Sequence, residues 1–235
     1  MRKQDYFREV LLQWFEKNRR SFPWREEGIG YYKTIISEIL LQRTKAETVA
    51  KYYAFFFEKY PHWDALMGAT LVELEDMMKP LGLHRQRATR LYTLAQGMKK
   101  RLATREYTPK IKPAELQEAG FSGLYLRNAY ELFILNKRKP LLDVNMSRLL
   151  KRYFSPGEYV DVRHDKAIQS MANQIVQTKD CKTLNWAILD YAATVCTAKA
   201  PACNNCQLNV ACTEFSRKKG YNPRKKWIIT AIYEQ

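Results

Sequence analysis

Apolar residues recur at three- and four-residue spacing along most of the chain, which places them on one face of an α-helix. The pattern is clearest in three groups: Val10, Leu11, Trp14 and Phe15; Ile35, Ile36, Ile39 and Leu40; and Leu184, Ile188, Leu189 and Tyr191. Strand-like alternation is nearly absent, and its best candidate is the segment 227–233. The pattern predicts an all-α fold of about ten helices joined by short loops.

Composition narrows the class of protein. The 235 residues suffice for one large domain or two packed subdomains, and 46% hydrophobic residues exclude a mainly disordered chain. Lys and Arg number 40 against 24 Asp and Glu, which gives a net charge of +16. A surplus this large predicts a polyanionic partner, with nucleic acid as the first candidate. The alternative is a basic surface without a partner.

No membrane association is expected, because no segment approaches the ~18 consecutive apolar residues of a membrane-spanning helix. The N-terminal residues carry charges on both sides of a short amphipathic pattern, unlike a secretory signal. We therefore expect a cytoplasmic, nucleoid-associated protein in a reducing compartment, where disulfides are not expected.

Four of the five cysteines, Cys196, Cys203, Cys206 and Cys212, lie close together with the spacing C-x6-C-x2-C-x5-C. Four thiolates in one loop can hold a tetrahedral zinc ion or an iron–sulfur cluster. Only one C-x2-C pair is present, and the two longer spacers favour a [4Fe–4S] cluster over zinc. Cys181 stands apart and is interpreted as a core residue.

Lys199 lies inside the cysteine loop. A basic loop stiffened by a cluster would be suited to grip DNA phosphates, and each lysine would add to the salt-dependent part of the affinity. The alternative is an ordinary lysine on a solvated loop.

The cysteine spacing at the end of a basic, all-α chain resembles the helix-hairpin-helix DNA glycosylases related to endonuclease III. Further segments resemble the adenine-DNA and mismatch thymine-DNA glycosylase branch: residues 22–25, 31–33, 37–44 and 82–88. Residues 141–148 resemble the segment that carries the catalytic aspartate of the family. The resemblance covers about residues 5–215.

The resemblance implies two α-helical subdomains on either side of a DNA-binding groove. Residues 23–135 would form a six-helix barrel with the helix-hairpin-helix. Residues 1–22 would pack with residues 136–215, which carry the catalytic aspartate and the cluster, and residues 216–235 would be a basic tail. The partner would be double-stranded DNA with a mismatched or damaged base, flipped out of the helix and bound by a monomer.

Two carboxylates are candidates for chemistry. Asp143 matches the catalytic aspartate of the family, which stabilises an oxocarbenium-like sugar; the alternative is a helix N-cap, and one residue can do both. Glu38 lies among apolar residues of a predicted helix and matches the glutamate that protonates the departing base in adenine-DNA glycosylases. It is either turned to solvent or buried with a raised pKa.

Tyr125 aligns with the position that separates the two chemistries of the family. A lysine there forms a Schiff base and cleaves the strand, whereas tyrosine, as in the mismatch thymine-DNA glycosylases, implies hydrolysis alone. The alternative is a tyrosine that only packs in a helix.

Other residues are candidates for DNA contact through the same resemblance. Gln42 and Arg43 match residues that fill the space left by the flipped base and contact its widowed partner. Asn145, next to the aspartate, would orient it or contact the DNA backbone.

The hairpin departs from the family pattern. Where the family reads Leu-Pro-Gly-Val-Gly and cradles a phosphate with backbone N–H groups, residues 119–123 read Ala-Gly-Phe-Ser-Gly. Gly120, Ser122 and Gly123 remain the candidate phosphate contacts, while Phe121 puts the strength of that contact in question.

We expect a monofunctional DNA glycosylase in base excision repair that removes thymine or uracil opposite guanine. We expect the domain with which adenine-DNA glycosylases recognise oxidised guanine to be missing, because only a short segment follows the cysteines. Two alternatives are an adenine-DNA glycosylase without that domain and a non-catalytic DNA-binding relative, the latter suggested by the altered hairpin.

Overall fold

The structure is a computed structural model and describes residues 1–103, 117, 123–154 and 161–220. Within these residues every regular element is helical and no strand occurs, which confirms the all-α fold class. The candidate strand at 227–233 and the basic tail beyond Gly220 lie outside the described residues.

The α-helices of the described residues are α1 (Lys3–Asn18), α2 (Gly30–Leu41), α3 (Ala46–Lys59), α4 (Trp63–Met67), α5 (Leu71–Met78), α6 (His84–Ala103), α7 (Leu124–Phe133), α8 (Val144–Phe154), α9 (Lys166–Ile175), α10 (Cys181–Thr194) and α11 (Thr213–Lys218). Short 3₁₀ turns occur at Pro23–Arg25, Lys79–Leu81, Cys203–Asn205 and Asn209–Ala211. The chain divides into two compact units, of which the first contains Met1–Arg20 and the described residues from Arg138 onward, and the second Ser21–Lys137.

The first unit packs α1 against α10, and α8 against α9, α10 and α11. Phe7 and Leu11 are fully buried on α1, and the ring of Phe7 contacts Tyr153 at 4.9 Å between centroids. The link from α1 to α10 is also electrostatic, since Arg20 forms an ion pair of 2.8 Å with the fully buried Asp190. The apolar faces read from the sequence are therefore the ones that meet in the core.

The second unit is built around α2, whose four predicted core residues, Ile35, Ile36, Ile39 and Leu40, are all buried. Aromatic side chains fill the surrounding space, as in the edge contact of Tyr32 with Trp63 at 4.9 Å. Because residues on nearly every side of α2 are buried, a polar residue on this helix is forced into the core.

A helix long and apolar enough to span a bilayer is not found in the described part of the chain.

Candidate functional site

Glu38 is the polar residue that α2 carries into the core, where only 6% of its surface is exposed. Burial in this apolar setting raises the pKa of Glu38 to about 7, because a charged carboxylate loses its hydration there. Its Oε2 atom is buried and has no hydrogen-bond partner among the described residues. The structure thus excludes the solvent-facing alternative and leaves a carboxyl group able to hold a proton near neutral pH.

Tyr125 lies in the first turn of α7 and is partly buried against the same core. Its hydroxyl hydrogen-bonds to the Glu38 side chain, which lowers the pKa of that carboxyl against the effect of burial. The positive charge of Arg25 acts in the same direction. Two residues predicted separately from the sequence are therefore in direct contact.

Arg25 was not singled out by sequence reasoning. It ends the 3₁₀ turn Pro23–Arg25, with its guanidinium 5.1 Å from the ring centroid of Phe22. The sequence signal was present, because residues 22–25 belong to the segment that resembles the glycosylase branch. The structure adds that this charge acts on Glu38.

Asp143 immediately precedes α8 and caps it. Its Oδ1 accepts hydrogen bonds of 2.8 Å from the backbone N–H groups of Asn145 and Met146, and its Oδ2 accepts one of 2.7 Å from the Asn145 side chain. Burial raises the pKa of Asp143, while these hydrogen bonds and the nearby Arg148 oppose the rise. The carboxylate is thus partly buried and fixed in orientation, and capping does not preclude chemistry.

Asn145 connects Asp143 to the cysteine loop. Its Oδ1 accepts a hydrogen bond of 3.1 Å from Arg148 Nη1, and the same guanidinium donates to the carbonyl oxygens of Ala192 and Cys196 at 2.7 and 3.0 Å. Side chains three residues apart on a helix lie on the same face, so the pair Asn145 and Arg148 was a readable signal that sequence analysis missed. Asn145 therefore orients Asp143 and is itself held in place.

A buried asparagine fixes the chain that leads into Asp143. Asn185, fully buried on α10, accepts a hydrogen bond of 2.6 Å from the Leu141 backbone and donates one of 3.1 Å to the carbonyl of Lys139. These bonds replace the helical partners that residues 139–141 lack. No sequence pattern identified Asn185 in advance.

The four clustered cysteines line one cavity in the first unit, together with Tyr153 and Arg152. The Tyr191 hydroxyl lies 3.1 Å from the sulfur of Cys206, and Arg152 Nη1 donates to the sulfur of Cys196 at 3.4 Å. In the described residues no three His, Cys, Asp or Glu side chains are arranged around a single metal ion. Convergence on one cavity is the arrangement that a cluster with several iron atoms requires.

Two other residues near the cysteine cavity, Cys181 and Lys199, do not line it. Cys181 is buried at the start of α10, where it accepts a hydrogen bond from the Asn185 side chain at 3.6 Å, and it does not line the cavity. Lys199 is exposed on the loop between Cys196 and Cys203. Its position is open to a phosphate.

Gln42 and Arg43 form the turn that follows α2. Arg43 is exposed and adopts a left-handed backbone conformation with φ of 55°. Gln42 is partly buried and its side-chain oxygen accepts a hydrogen bond from Arg90. Leu83, which sequence reasoning missed, also has a left-handed φ of 50°, and 46% of its surface is exposed.

Only one of the three hairpin candidates lies in the described part of the chain. Gly123 precedes α7 with a φ of 107°, a conformation that side chains strongly disfavour, so glycine is required at this position. Gly120 and Ser122 lie outside the described residues.

Comparison with known proteins places this geometry in a family. Residues 36–176 match the HhH-GPD superfamily of base excision DNA repair proteins. The chain is 30% identical over 220 residues to the thymine/uracil-DNA glycosylase of Methanothermobacter thermautotrophicus, covering 92% of this chain and 96% of that protein. It is 32% identical over 214 residues to the thymine-DNA glycosylase of Aeropyrum pernix, covering 89% and 94%.

Adenine DNA glycosylases also match, for example that of Buchnera aphidicola subsp. Schizaphis graminum at 26% identity, of which the chain spans 68%. Among solved structures, a thermostable thymine-DNA glycosylase superimposes with a TM-score of 0.80 at 30% identity over 92% of this chain and 97% of that one. A trapped endonuclease III–DNA covalent intermediate shares the fold, with a TM-score of 0.77 at 18% identity over 93% and 99%. The chain belongs to the HhH-GPD superfamily of base excision DNA repair proteins.

Proposed function

We propose that this protein is a monofunctional DNA glycosylase that hydrolyses the N-glycosidic bond of thymine or uracil opposite guanine. The observation that carries the proposal is the buried carboxyl of Glu38 bonded to the hydroxyl of Tyr125. Similarity over nearly the full length of thymine/uracil-DNA glycosylases supports the same substrate class.

Asp143 has the properties needed beside the sugar. Cleavage of the glycosidic bond develops positive charge on the deoxyribose, and a carboxylate held in a fixed orientation stabilises that charge without reorganising. Three hydrogen bonds from Asn145 and Met146 fix the two oxygens of Asp143. Oδ1 accepts two of these bonds and Oδ2 only one, so one lone-pair region of Oδ2 remains available for the sugar or for a water molecule.

Glu38 has the properties of a proton donor to the departing base. General acid catalysis is most efficient when the pKa of the acid lies near the working pH, and the pKa of Glu38 is about 7. The Tyr125 hydroxyl orients this carboxyl and keeps its pKa from rising further. A phenol cannot form the Schiff base that strand cleavage requires, so the product is an intact strand with an abasic site.

The proposed cofactor is a [4Fe–4S] cluster held by Cys196, Cys203, Cys206 and Cys212. The fit is supported by the shared cavity and by the hydrogen bond of Arg152 to the Cys196 sulfur, since cluster thiolates carry negative charge. Burial raises the pKa of the Cys212 thiol to about 11, so a thiolate there needs a cationic partner such as iron. When bound, the cluster would cross-link the loop that carries Lys199.

The proposed partner is double-stranded DNA with a mismatched base, bound by a monomer inside the cell near the nucleoid. The net charge of +16 supports a strong phosphate contribution to binding. Arg43 and Gln42 would contact the space left by the flipped base, and Gly123 and Lys199 would contact the backbone. Gly120 and Ser122 belong to the same proposed contact.

Removal of adenine is the second candidate. Glu38 supports it, because a neutral purine leaves far more easily once a ring nitrogen is protonated, and the pKa of about 7 keeps that proton available. Similarity to adenine DNA glycosylases points the same way at lower identity.

Single-turnover release of the base from labelled duplexes tests these candidates. The duplexes contain T·G, U·G, A·G or adenine opposite 8-oxoguanine, and each sample is divided into an alkali-treated and an untreated half. Cleavage only after alkali, at T·G or U·G, is the expected result. Cleavage at adenine would establish the second candidate. Strand cleavage without alkali would contradict a mechanism of hydrolysis alone, and no release of base from any duplex would contradict the proposal that the protein is a DNA glycosylase.

A further inference from the structure

Two turns of the second unit present unusual residues at their tips. Arg43, after α2, and Leu83, before α6, both adopt left-handed backbone conformations with φ of 55° and 50°. Neither is glycine, so both conformations cost free energy and persist only where the surroundings enforce them. We call Arg43 and Leu83 the wedge residues, because both are exposed at the tips of these turns.

One buried side chain joins the two turns. Arg87, on the first turns of α6, is 2% exposed, and its Nη1 donates to the carbonyl oxygens of Leu81 at 2.7 Å and of Gly82. Its Nη2 donates to the carbonyl of Gln42 and to the hydroxyl of Thr44. The same guanidinium thus holds groups on both sides of Arg43 and the two residues that precede Leu83.

The remaining contacts strengthen this link. The Thr44 hydroxyl donates to the Leu81 carbonyl at 3.2 Å, which joins the turns a second time. Arg90, one turn further along α6, donates to the Gln42 side chain. Among the described residues Arg87 has no carboxylate within ion-pair distance, so three carbonyl groups and the Thr44 hydroxyl compensate its buried charge.

Burying the Arg87 guanidinium in this way costs folding free energy. A guanidinium without an anionic partner loses hydration that neutral acceptors only partly replace, and the Nε atom of Arg87 has no partner among the described residues. A planar, forked guanidinium is nevertheless the side chain that can bond two separate turns at once, which a lysine ammonium on a flexible stem cannot do with fixed geometry.

We propose that Arg87 is a positioning residue that fixes Arg43 and Leu83 relative to one another, so that they enter the DNA duplex together as one two-pointed wedge. The inference rests on the proposed function, since a wedge matters only to a protein that opens the duplex. The cation of Arg43 suits the widowed base and its phosphates, and the apolar Leu83 suits a partly unstacked base step. Arg43 and Leu83 thus suit different parts of the opened duplex, and Arg87 sets the distance between them.

A double-mutant cycle tests this inference. Affinity is measured for a duplex with a tetrahydrofuran abasic analogue and for the same duplex intact, with Arg43→Ala, Leu83→Ala and both together. If the wedge residues enter as one unit, the double substitution weakens binding to the abasic duplex less than the product of the two single effects. The two values should differ by a factor on the order of ten. In the Arg87→Lys background this coupling should fall to within about twofold.

A fluorescent base gives a second readout. 2-Aminopurine opposite the abasic analogue should brighten when the wedge unstacks it, and Arg87→Lys should reduce that change while affinity for the intact duplex is retained. Arg85→Lys is the matched control, because Arg85 lies exposed on the same helix and makes none of these bonds. Thr44→Val replaces Arg87→Lys if the latter does not fold, since it removes one acceptor of Arg87 and leaves the buried charge in place.

Three results would overturn the inference: equal coupling in both backgrounds, additive effects of the two wedge residues in the wild type, or an Arg87→Lys loss that is the same for abasic and intact duplexes. If any of them occurs while the wild type still releases base, only the role of Arg87 is wrong. If the wild type neither releases base nor prefers the abasic duplex, the proposed function and this inference are both wrong.

Discussion

The Tyr125 hydroxyl is hydrogen-bonded to the Glu38 carboxyl, and this bond joins the start of α7 to the middle of α2 in the core of the second unit. The bond partly replaces the hydration that the buried carboxyl loses, and it stabilises the charged form that burial disfavours. The pKa of Glu38, about 7, is the balance between burial, which raises it, and the Tyr125 hydrogen bond and the charge of Arg25, which lower it.

Tyr125→Phe should therefore raise the pKa of Glu38 above its value of about 7, because the substitution removes a hydrogen bond that favours the carboxylate. If Glu38 donates a proton to the departing base, base release in the wild type falls as pH rises through about 7. In the variant the fall should occur at higher pH. The pH profile of single-turnover base release measures this.

Tyr92→Phe is the control for this prediction, because Tyr92 packs against the same core and its hydroxyl makes no hydrogen bond among the described residues. Identical pH profiles for Tyr125→Phe and the wild type would show that the hydroxyl does not act on a catalytic proton.

Stability should also depend on Glu38. A carboxyl whose pKa is raised in the folded protein stabilises it fully below the pKa of the unfolded chain, near ~4.3, and that contribution is lost as pH rises through the folded value. With a folded pKa of about 7, the contribution is roughly 3 to 4 kcal/mol. Urea unfolding of the wild type and of Glu38→Gln measures this contribution. The pH is varied from about 4 to about 8, a range that spans the unfolded and the folded pKa of Glu38. The free-energy difference between them should shift against the wild type on going to higher pH, and a constant difference would contradict the buried, protonated carboxyl.

Asp143→Asn should separate chemistry from structure. Asparagine caps helices about as well as aspartate, so the N–H groups of Asn145 and Met146 keep an acceptor and the fold should be retained. The lost charge should slow base release by at least about 100-fold, while binding to duplex DNA stays unchanged. Binding and single-turnover release measured on the same duplex check this. Unchanged release would remove Asp143 from the mechanism and leave it as a cap.

Sequence reasoning predicted the local features well. The apolar spacing of Ile35, Ile36, Ile39 and Leu40 predicted a helix, and all four are buried on α2. The position of Asp143 before an amphipathic segment allowed a helix N-cap as the alternative to catalysis, and its Oδ1 accepts the backbone hydrogen bonds that a cap requires. These features depend on neighbours a few residues away, which periodicity captures.

Contacts across the sequence were not predictable in the same way. Nothing in the pattern around Tyr125 indicated that its hydroxyl meets Glu38, because helix packing decides which faces touch. Arg87 belongs to the segment 82–88, which the sequence distinguishes only by its resemblance to the glycosylase branch. Its role depends on two turns that come together only in the folded unit.

The cysteine cavity yields a prediction about the cofactor. Cys203→Ser should remove the brown colour and the absorbance near ~400 nm of a [4Fe–4S] cluster. The free energy of unfolding of the first unit should fall by about 3 kcal/mol or more, because metal binding and folding are coupled. Iron and sulfide analysis with thermal unfolding checks both expectations. Cys181→Ser is the control, since Cys181 does not line the cavity, and a colourless wild type with stoichiometric zinc would contradict the cluster.

The ion pair of Arg20 with Asp190 should contribute strongly to stability. Asp190 is fully buried, and its carboxylate accepts hydrogen bonds from the backbone N–H of Arg20 at 3.0 Å and from the Nε of that residue at 2.8 Å. Arg20→Ala would leave a buried carboxylate without its guanidinium, which typically costs about 3 to 5 kcal/mol. Arg19→Ala removes the exposed neighbouring cation and should change the free energy of unfolding by less than about 0.5 kcal/mol. Denaturant unfolding measures the free energy of unfolding of both variants. A larger loss for Arg20→Ala supports a buried ion pair that anchors α1 to α10. Equal losses for the two variants would show that solvent screens the ion pair.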